Sequence, residues 1–501
     1  MELINHLQLG LSVALSGENL VYCFVGAVLG TVIGVLPGIG PLATIAMLLP
    51  LTYGLSSTTS LIMLAGIYYG AQYGGSTTAI LLNLPGESST AVTTIDGYQM
   101  ARQGRAGAAL AAAGISSFIA GTFATLVIAV LAIPLTAVAL SFGPAEYFAL
   151  MVVGLASSVA LASGSIIKGV SMVIAGMLLS MTGMDIYTGT ERFTFGAIEL
   201  SDGIDFAAVA IGMFGIGEIV RNLELPSDQR SVIAKVTRLW PSAADLRRMF
   251  VPALRGTLLG SALGILPGGG ALLSSFLAYN LEKNVARDPS RFGKGAIEGV
   301  AAPEAANNAG AQTSFIPMLS LGVPSNATMA LMAGALIMQG IVPGPTVVSR
   351  NPDLFWGVIT SMWIGNVMLL ILNLPMIGIW VKLISIRYHV LFPAILAFCS
   401  IGVYSINNSI FDLYIVLGFG LAGYFLVRMG CELPPLMLGF ILGPMVEDNL
   451  RRALILSQGD YFIFMQRPVA LAMLIVAVVI LAFSASPRLS QKRTVVFASE
   501  D

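Results

Sequence analysis

The side chains able to do chemistry are few, and most sit beside glycine and proline inside apolar sequence. Leu36 to Gly40 reads LPGIG and Leu266 to Gly270 reads LPGGG, each directly before a new apolar run. A helix starting after such a turn aims unpaired N–H donors and a partial positive charge at whatever lies there, which suits an anion. Further along, Asn83, Pro85, Gly86, Ser88, Ser89 and Thr90 are answered by Pro324, Ser325, Asn326 and Thr328. Neither stretch contains Lys or Arg. A carboxylate held there would rest on backbone N–H groups, hydroxyls, amides and a cation. Hydroxyl and amide oxygens with freed carbonyls are also what a desolvated Na⁺ requires. We assign substrate contacts to Gly38, Gly40, Pro85, Gly86, Ser88, Ser89, Thr90, Pro324, Ser325, Asn326 and Thr328, and cation contacts to Gly268, Gly270, Asn83, Asn307 and Asn308. The structural alternatives are close helix packing for the glycines and helix capping for Ser and Asn.

Pro303 to Asn308 reads PEAANN, placing a carboxylate and two amides in a region of low charge. Asn307 and Asn308 are expected to line the site; Glu304 either titrates, pairs with a cation or snorkels to the interface. Asp96 to Gly107 brings the first basic residues, Arg102 and Arg105, and reads as a solvated turn. Glu447 to Arg452, EDNLRR, reads as an interfacial helix with internal ion pairs or as a subunit contact. Enzyme chemistry finds little support, since the chain has two histidines, His6 and His389, and three scattered cysteines, Cys23, Cys399 and Cys431. A metal site or disulfide framework would need clustered ligands.

The elements that carry these residues belong to a membrane. Hydrophobic residues make up 56% of the 501, charged residues 10%, and mean hydropathy is +0.86, against roughly 25% charged in an ordinary soluble domain. About ten to twelve membrane-embedded segments are expected, at roughly 20 residues per span. Gly26 to Gly40 recurs as Gly256 to Gly270 at an offset of 256 − 26 = 230, with 8 of 15 positions identical on comparing the two stretches. Paired helix breaks at matching points of two halves indicate a transporter site near the bilayer midplane. The expected fold is all-α and polytopic, with two inverted-topology repeats, interrupted helices and re-entrant hairpins, residues near 41–53 and 74–84 forming hairpin arms. The organisation is an N-terminal segment 1–19, repeat 20–220, basic cytoplasmic linker 221–249, repeat 250–485 and cytoplasmic tail 486–501. Trp240 and the stretch Ser242 to Asp245 are expected to anchor and cap an amphipathic helix in the linker. With no Lys or Arg before Arg102, the start reads as mature sequence on the outer side.

Five motifs in order, GVLPGIGPLATIAMLLP, GIYYGAQYGGSTTAILLNLPGESS, TTIDGYQMARQGRAG, APEAANNAGAQTSFIPMLSLGVPSNAT and GPMVEDNLRRALILSQGD, resemble the large membrane subunit (TctA family) of the tripartite tricarboxylate transporters, over nearly the whole chain. The resemblance implies a bacterial inner-membrane permease working with a small four-span membrane subunit and a periplasmic solute-binding protein. It also implies cation-driven uptake of a carboxylate such as citrate, by an elevator movement. The polar run after the first glycine pair is Ser76, Thr77 and Thr78 here, against Gln312, Thr313 and Ser314 in the second half, and Glu87 stands beside the supposed anion site. A passive channel and an intramembrane enzyme are the rival classes. Counterflow separates them, because only a carrier exchanges bound substrate saturably.

Overall fold

The computed structural model describes residues 2–36, 40–161, 165–217, 219–220, 239–266, 270–383 and 388–485. Its helices in the first half are α1 (Glu2–Ala14), α2 (Gly17–Val35), α3 (Pro41–Thr52), α4 (Ser57–Leu82), α5 (Ala91–Arg102), α6 (Ala106–Leu140), α7 (Pro144–Leu161), α8 (Ile166–Ser180) and α9 (Phe206–Ala210). Then follow α10 (Ala243–Ile265), α11 (Gly270–Val285), α12 (Glu298–Thr313), α13 (Ala327–Met338), α14 (Pro352–Asn373), α15 (Tyr388–Asn407), α16 (Ile410–Arg428), α17 (Leu433–Leu456) and α18 (Pro468–Ala485). Among the described residues the only strands are two-residue pieces, Gly183–Met184 paired antiparallel with Glu191–Arg192. Five of the described helices, α2, α6, α14, α16 and α18, are long and apolar enough to cross a membrane. The protein is an all-α, multi-pass membrane protein.

Glycine spacing sets the central packing. Gly26, Gly30 and Gly34 recur every four residues, on one face of α2. A Cβ at these positions would lie 2.3, 2.2 and 2.4 Å from the carbonyl oxygens of Met63, Ile67 and Ala71 in α4. In the second half, Gly256, Gly260 and Gly264 of α10 meet the carbonyls of Ala302, Ala306 and Gly310 in α12 at 2.2, 2.3 and 2.4 Å. Only glycine lets two backbones approach this closely, which replaces the missing hydrophobic driving force in lipid with dense van der Waals contact. Both ladders ascend together, so α2 runs parallel to α4 and α10 parallel to α12. The intervening α3 therefore returns the chain toward the end where α2 began, and α11 does the same after α10.

Two expectations meet a different local structure. Residues 74–82 are the end of the continuous 26-residue α4, not a separate arm. Gly74 is tolerated inside that helix because its missing Cβ would lie 2.5 Å from the Thr31 carbonyl. The capping box at Ser242 is present, with the Ser242 hydroxyl accepting from Asp245 N at 3.1 Å and the Asp245 carboxylate from Ser242 N at 3.2 Å. However, the helix it opens is α10 itself, running unbroken to Ile265. Residues 221–238 of the basic linker, and the tail 486–501, lie outside the described residues.

Candidate functional site

The two proline breaks approach one another around α4. Its C-cap, Asn83, takes a left-handed φ of 60°, a conformation Asn tolerates because its short side chain bonds locally. Gly86 then lies against α2 and α4, where a Cβ would be 2.2 Å from the Gly34 carbonyl and 2.5 Å from Gly75 Cα. This close seat explains the Pro-Gly dipeptide and brings Glu87, Ser89 and Thr90 inward. Thr90 Oγ1 donates to the Glu87 carbonyl at 2.8 Å, fixing the turn. In the second half, Gly322 with φ +77° ends the helix, and Asn326 caps α13 by accepting from Met329 N at 3.0 Å.

Contacts between the halves join these breaks. Ser275 Oγ of α11 donates to the Ser89 carbonyl at 2.8 Å. Within the second half, Gly270, at the start of α11 with φ +59°, lies against Asn326, whose Nδ2 would be 3.2 Å from a Cβ there. Asn326 also donates to Ser314 Oγ at 3.4 Å and engages the Tyr68 hydroxyl of α4.

Two carboxylates enter the same region. Glu304 of α12 is fully buried and accepts from Ser76 Oγ of α4 at 2.6 Å and from Thr93 Oγ1 of α5. Glu87 is half-buried and accepts from Ser89 Oγ. The Ser89 hydroxyl also faces Gln72 Oε1 at 3.1 Å, and its single hydrogen can serve only one of the two acceptors at a time. The two acids meet adjacent residues of α4, Glu304 at Ser76 and Glu87 at Gly75, where a Cβ would lie 3.2 Å from Glu87 Cγ. Among the described residues neither has a Lys, Arg or His partner; the ion pairs lie elsewhere, at Arg105–Asp245, Arg255–Glu282, Arg291–Glu298 and around Arg451. Hydrogen bonds from hydroxyls offset only part of the cost of burying such charges.

The residues singled out from sequence divide accordingly. Gly86, Ser89, Thr90, Gly270, Asn307, Asn308, Pro324, Ser325 and Thr328 are buried, Gly40 and Asn326 are half-buried, and Asn83, Pro85 and Ser88 are exposed. Gly38 and Gly268 lie outside the described residues. The adjacent amides differ. Asn308 donates to Ser117 Oγ at 2.7 Å and to the Glu304 carbonyl at 3.1 Å, which ties it to the scaffold. Asn307, beside Glu87, is 0% exposed and neither its Nδ2 nor its Oδ1 completes a hydrogen bond. Behind Ser76 a cavity of about 10 Å³ is lined by Tyr73, Ser117 and Asn373, close to the room one water needs.

Tyr68, Gln72, Tyr73 and Thr93 were not singled out from the sequence. The readable signal was a polar run along α4 with no exposed face: every residue from Thr59 to Leu82 is buried. Asp96, read as part of a solvated turn, is instead 0% exposed. Its Oδ1 accepts from the backbone N–H groups of Gly293, Gly295 and Ala296 at 2.9, 2.8 and 2.8 Å, and its Oδ2 from Tyr279 at 2.9 Å. One turn from Thr93 on α5, this clasp fixes the helix that presents a donor to Glu304. Among the described residues no group of three His, Cys, Asp or Glu could hold a metal ion.

The EDNLRR stretch forms the end of α17 and carries ion pairs inside and outside itself. Arg451 contacts Glu447 at 2.5 Å and Asp185 at 2.8 Å, and Arg452 contacts Asp448 at 3.0 Å. The Arg451 hydrogen bond, with the Tyr187 backbone N–H, holds the Asp185 carboxyl down to about 2.

Comparison with known proteins agrees with this architecture. The chain is 58% identical over 501 residues, the whole of both chains, to an uncharacterized 52.8 kDa protein in the TAR-I ttuC' 3' region of Agrobacterium vitis. It is 55% identical over 242 residues, 48% of this chain and all of the relative, to an uncharacterized protein in the TAR-II ttuC' 3' region of the same organism. No solved structure matches. Residues 20–438 match the profile of the tripartite tricarboxylate transporter TctA family. A match of that breadth means that the chain belongs to the TctA family and is a component of a tripartite transporter.

Proposed function

We propose that this chain is the permease subunit of a binding-protein-dependent secondary transporter, importing a carboxylate where the two helix breaks converge. The observation that carries the reading is a packing motif repeated in the two halves at one numerical shift. The carbonyls met by the glycine ladders are those of Met63, Ile67 and Ala71 in one half and of Ala302, Ala306 and Gly310 in the other, with 302 − 63, 306 − 67 and 310 − 71 all equal to 239. The prolines of the two breaks obey the same shift, since 324 − 85 = 239.

Support for inverted topology comes from α4 and α12. Tyr69 stacks near Phe315 at 5.9 Å while Ser76 meets Glu304, so these equivalent helices run antiparallel. On this reading α2–α3 and α10–α11 are re-entrant hairpins in repeats 20–220 and 250–485. Each hairpin packs on the break of its own half, Gly34 against Gly86 and Gly270 against Asn326, and a rocking or elevator displacement exposes the site alternately. The basic groups near Arg105 and Arg248 support a cytoplasmic side for that end, by the positive-inside rule, in a bacterial inner membrane. The loop 181–205 then faces outward, toward a periplasmic binding protein, and a small four-span subunit covers part of the lipid-facing surface.

The substrate carboxylate is held by Ser89, Thr90, Asn326 and Thr328 with main-chain donors, and Na⁺ or H⁺ supplies the driving force. The test is uptake into proteoliposomes by the complete complex, scanning di- and tricarboxylates under imposed Na⁺ or H⁺ gradients, with counterflow as the carrier assay. Saturable, binding-protein-dependent exchange is expected. Linear, non-saturating flux would mean a pore and overturn the proposal.

A further inference from the structure

An anion site lined by two acids admits its anion only when protons or a metal cation neutralise them. Glu87 and Glu304 come from opposite halves, meet adjacent residues of α4 at Gly75 and Ser76, and have no basic partner among the described residues. One turn along α12 from Glu304, Asn307 is wholly buried with its amide oxygen and nitrogen both unbonded. A buried amide left without partners carries a cost that a ligand would remove. The Ser89 hydroxyl and Gln72 Oε1, 3.1 Å apart, bring two further neutral oxygens to Glu87. The set is therefore all oxygen, two carboxyl groups plus neutral amide and hydroxyl groups, hard ligands suited to a small hard cation.

We propose that Glu87, Glu304 and Asn307 form a sodium site bridging the two halves, completed by Ser89 and Gln72. The site lies in contact with the break that holds the substrate, so a bound Na⁺ screens the acids from an incoming carboxylate. An empty site repels it. The inference rests on the transport reading for its role in coupling, whereas the binding of Na⁺ is measurable without transport.

The experiment is thermal unfolding of the full-length protein in nanodiscs at constant pH and ionic strength, with NaCl exchanged for choline chloride or KCl. The melting midpoint should rise by about 1 °C at ten times the Kd and by about 4 °C at a thousand times the Kd, specifically with Na⁺. Glu87→Gln and Glu304→Gln should abolish the rise, and Asn307→Ala should weaken Na⁺ at least tenfold while Asn307→Asp retains it. Because Glu304→Gln could fail to fold, binding of ²²Na⁺ to the wild-type protein, displaced by cold Na⁺ and not by K⁺, provides the second measurement. Equal midpoints in Na⁺ and choline with no saturable ²²Na⁺ binding would overturn the site, as would undiminished Na⁺ affinity in Glu87→Gln. Proton-driven uptake with no Na⁺ binding would leave the transport reading standing and sink only this one.

Discussion

The two helix breaks share a backbone and differ in charge. Pro85 and Pro324 are separated by the same 239 residues as the glycine-contacted carbonyls, and each break follows a helix held to its parallel neighbour by a three-glycine ladder. At the position after the Pro-Gly or Pro-Ser pair, however, one half carries Glu87 and the other Asn326. The amide caps a helix and meets Tyr68; the acid faces Asn307 and a second acid. Duplicated geometry thus provides two similar seats, and substitution at one position makes them chemically unequal, one an amide and one an acid.

The largest effect should come from breaking the shared part. Gly30→Leu and Gly260→Leu each push a side chain into a carbonyl about 2 Å away, a clash worth about 3 kcal/mol or more. Size-exclusion profiles in detergent should show aggregated or absent protein for both, and a monodisperse Gly30→Leu variant would refute the close-packing account.

Making the breaks alike comes next. Glu87→Asn should reduce uptake at least tenfold with little loss of melting temperature, and unchanged uptake would mean that the charge difference has no transport role. Asn326→Ala loses the cap of α13, about 1 kcal/mol, and a substrate contact; a severalfold rise in KM is expected. Asn326→Asp, which still caps, should recover stability and not KM. Asp96→Asn weakens the charge-assisted bonds to 293–296 by about 2 kcal/mol, visible as a lower melting midpoint.

The smallest effect lies far from both breaks. Asp185, held down to about 2 by Arg451, contributes stability present above its unfolded value near 3.8 and lost as pH falls toward 2. Pepsin should therefore cut the 183–192 hairpin faster at pH 2 than at pH 4, and Asp185→Asn should cut fast at both. Equal rates for the wild type at the two pH values would show that the ion pair does not secure the hairpin.

How much of this was legible depended on the range of the interaction. The glycine ladders, the Pro breaks and the Ser242 capping box are local patterns, readable at spacings of three or four residues. The acid pair is separated by 304 − 87 = 217 residues and exists only because α4 crosses α12 antiparallel, which no local period reveals. The same limit hid the roles of Tyr68 and Thr93. Gly74 and Gly75 misled in the other direction, because intrinsic propensity disfavours them in a helix interior while tertiary packing requires them there. Asp96 read as solvated because its acceptors' donors lie in a loop almost two hundred residues away.

That same clasp bears on how the protein is made. A ribosome that has completed Arg102 must add 293 − 102 = 191 more residues before the first of the N–H groups that Asp96 needs has been synthesised. Until then the carboxylate must stay hydrated or borrow a temporary donor, so α5 cannot settle into its final depth as it emerges. Insertion of the early helices is consequently provisional, and the last of them to lock does so only when translation of the distal portion delivers the 293–296 turn.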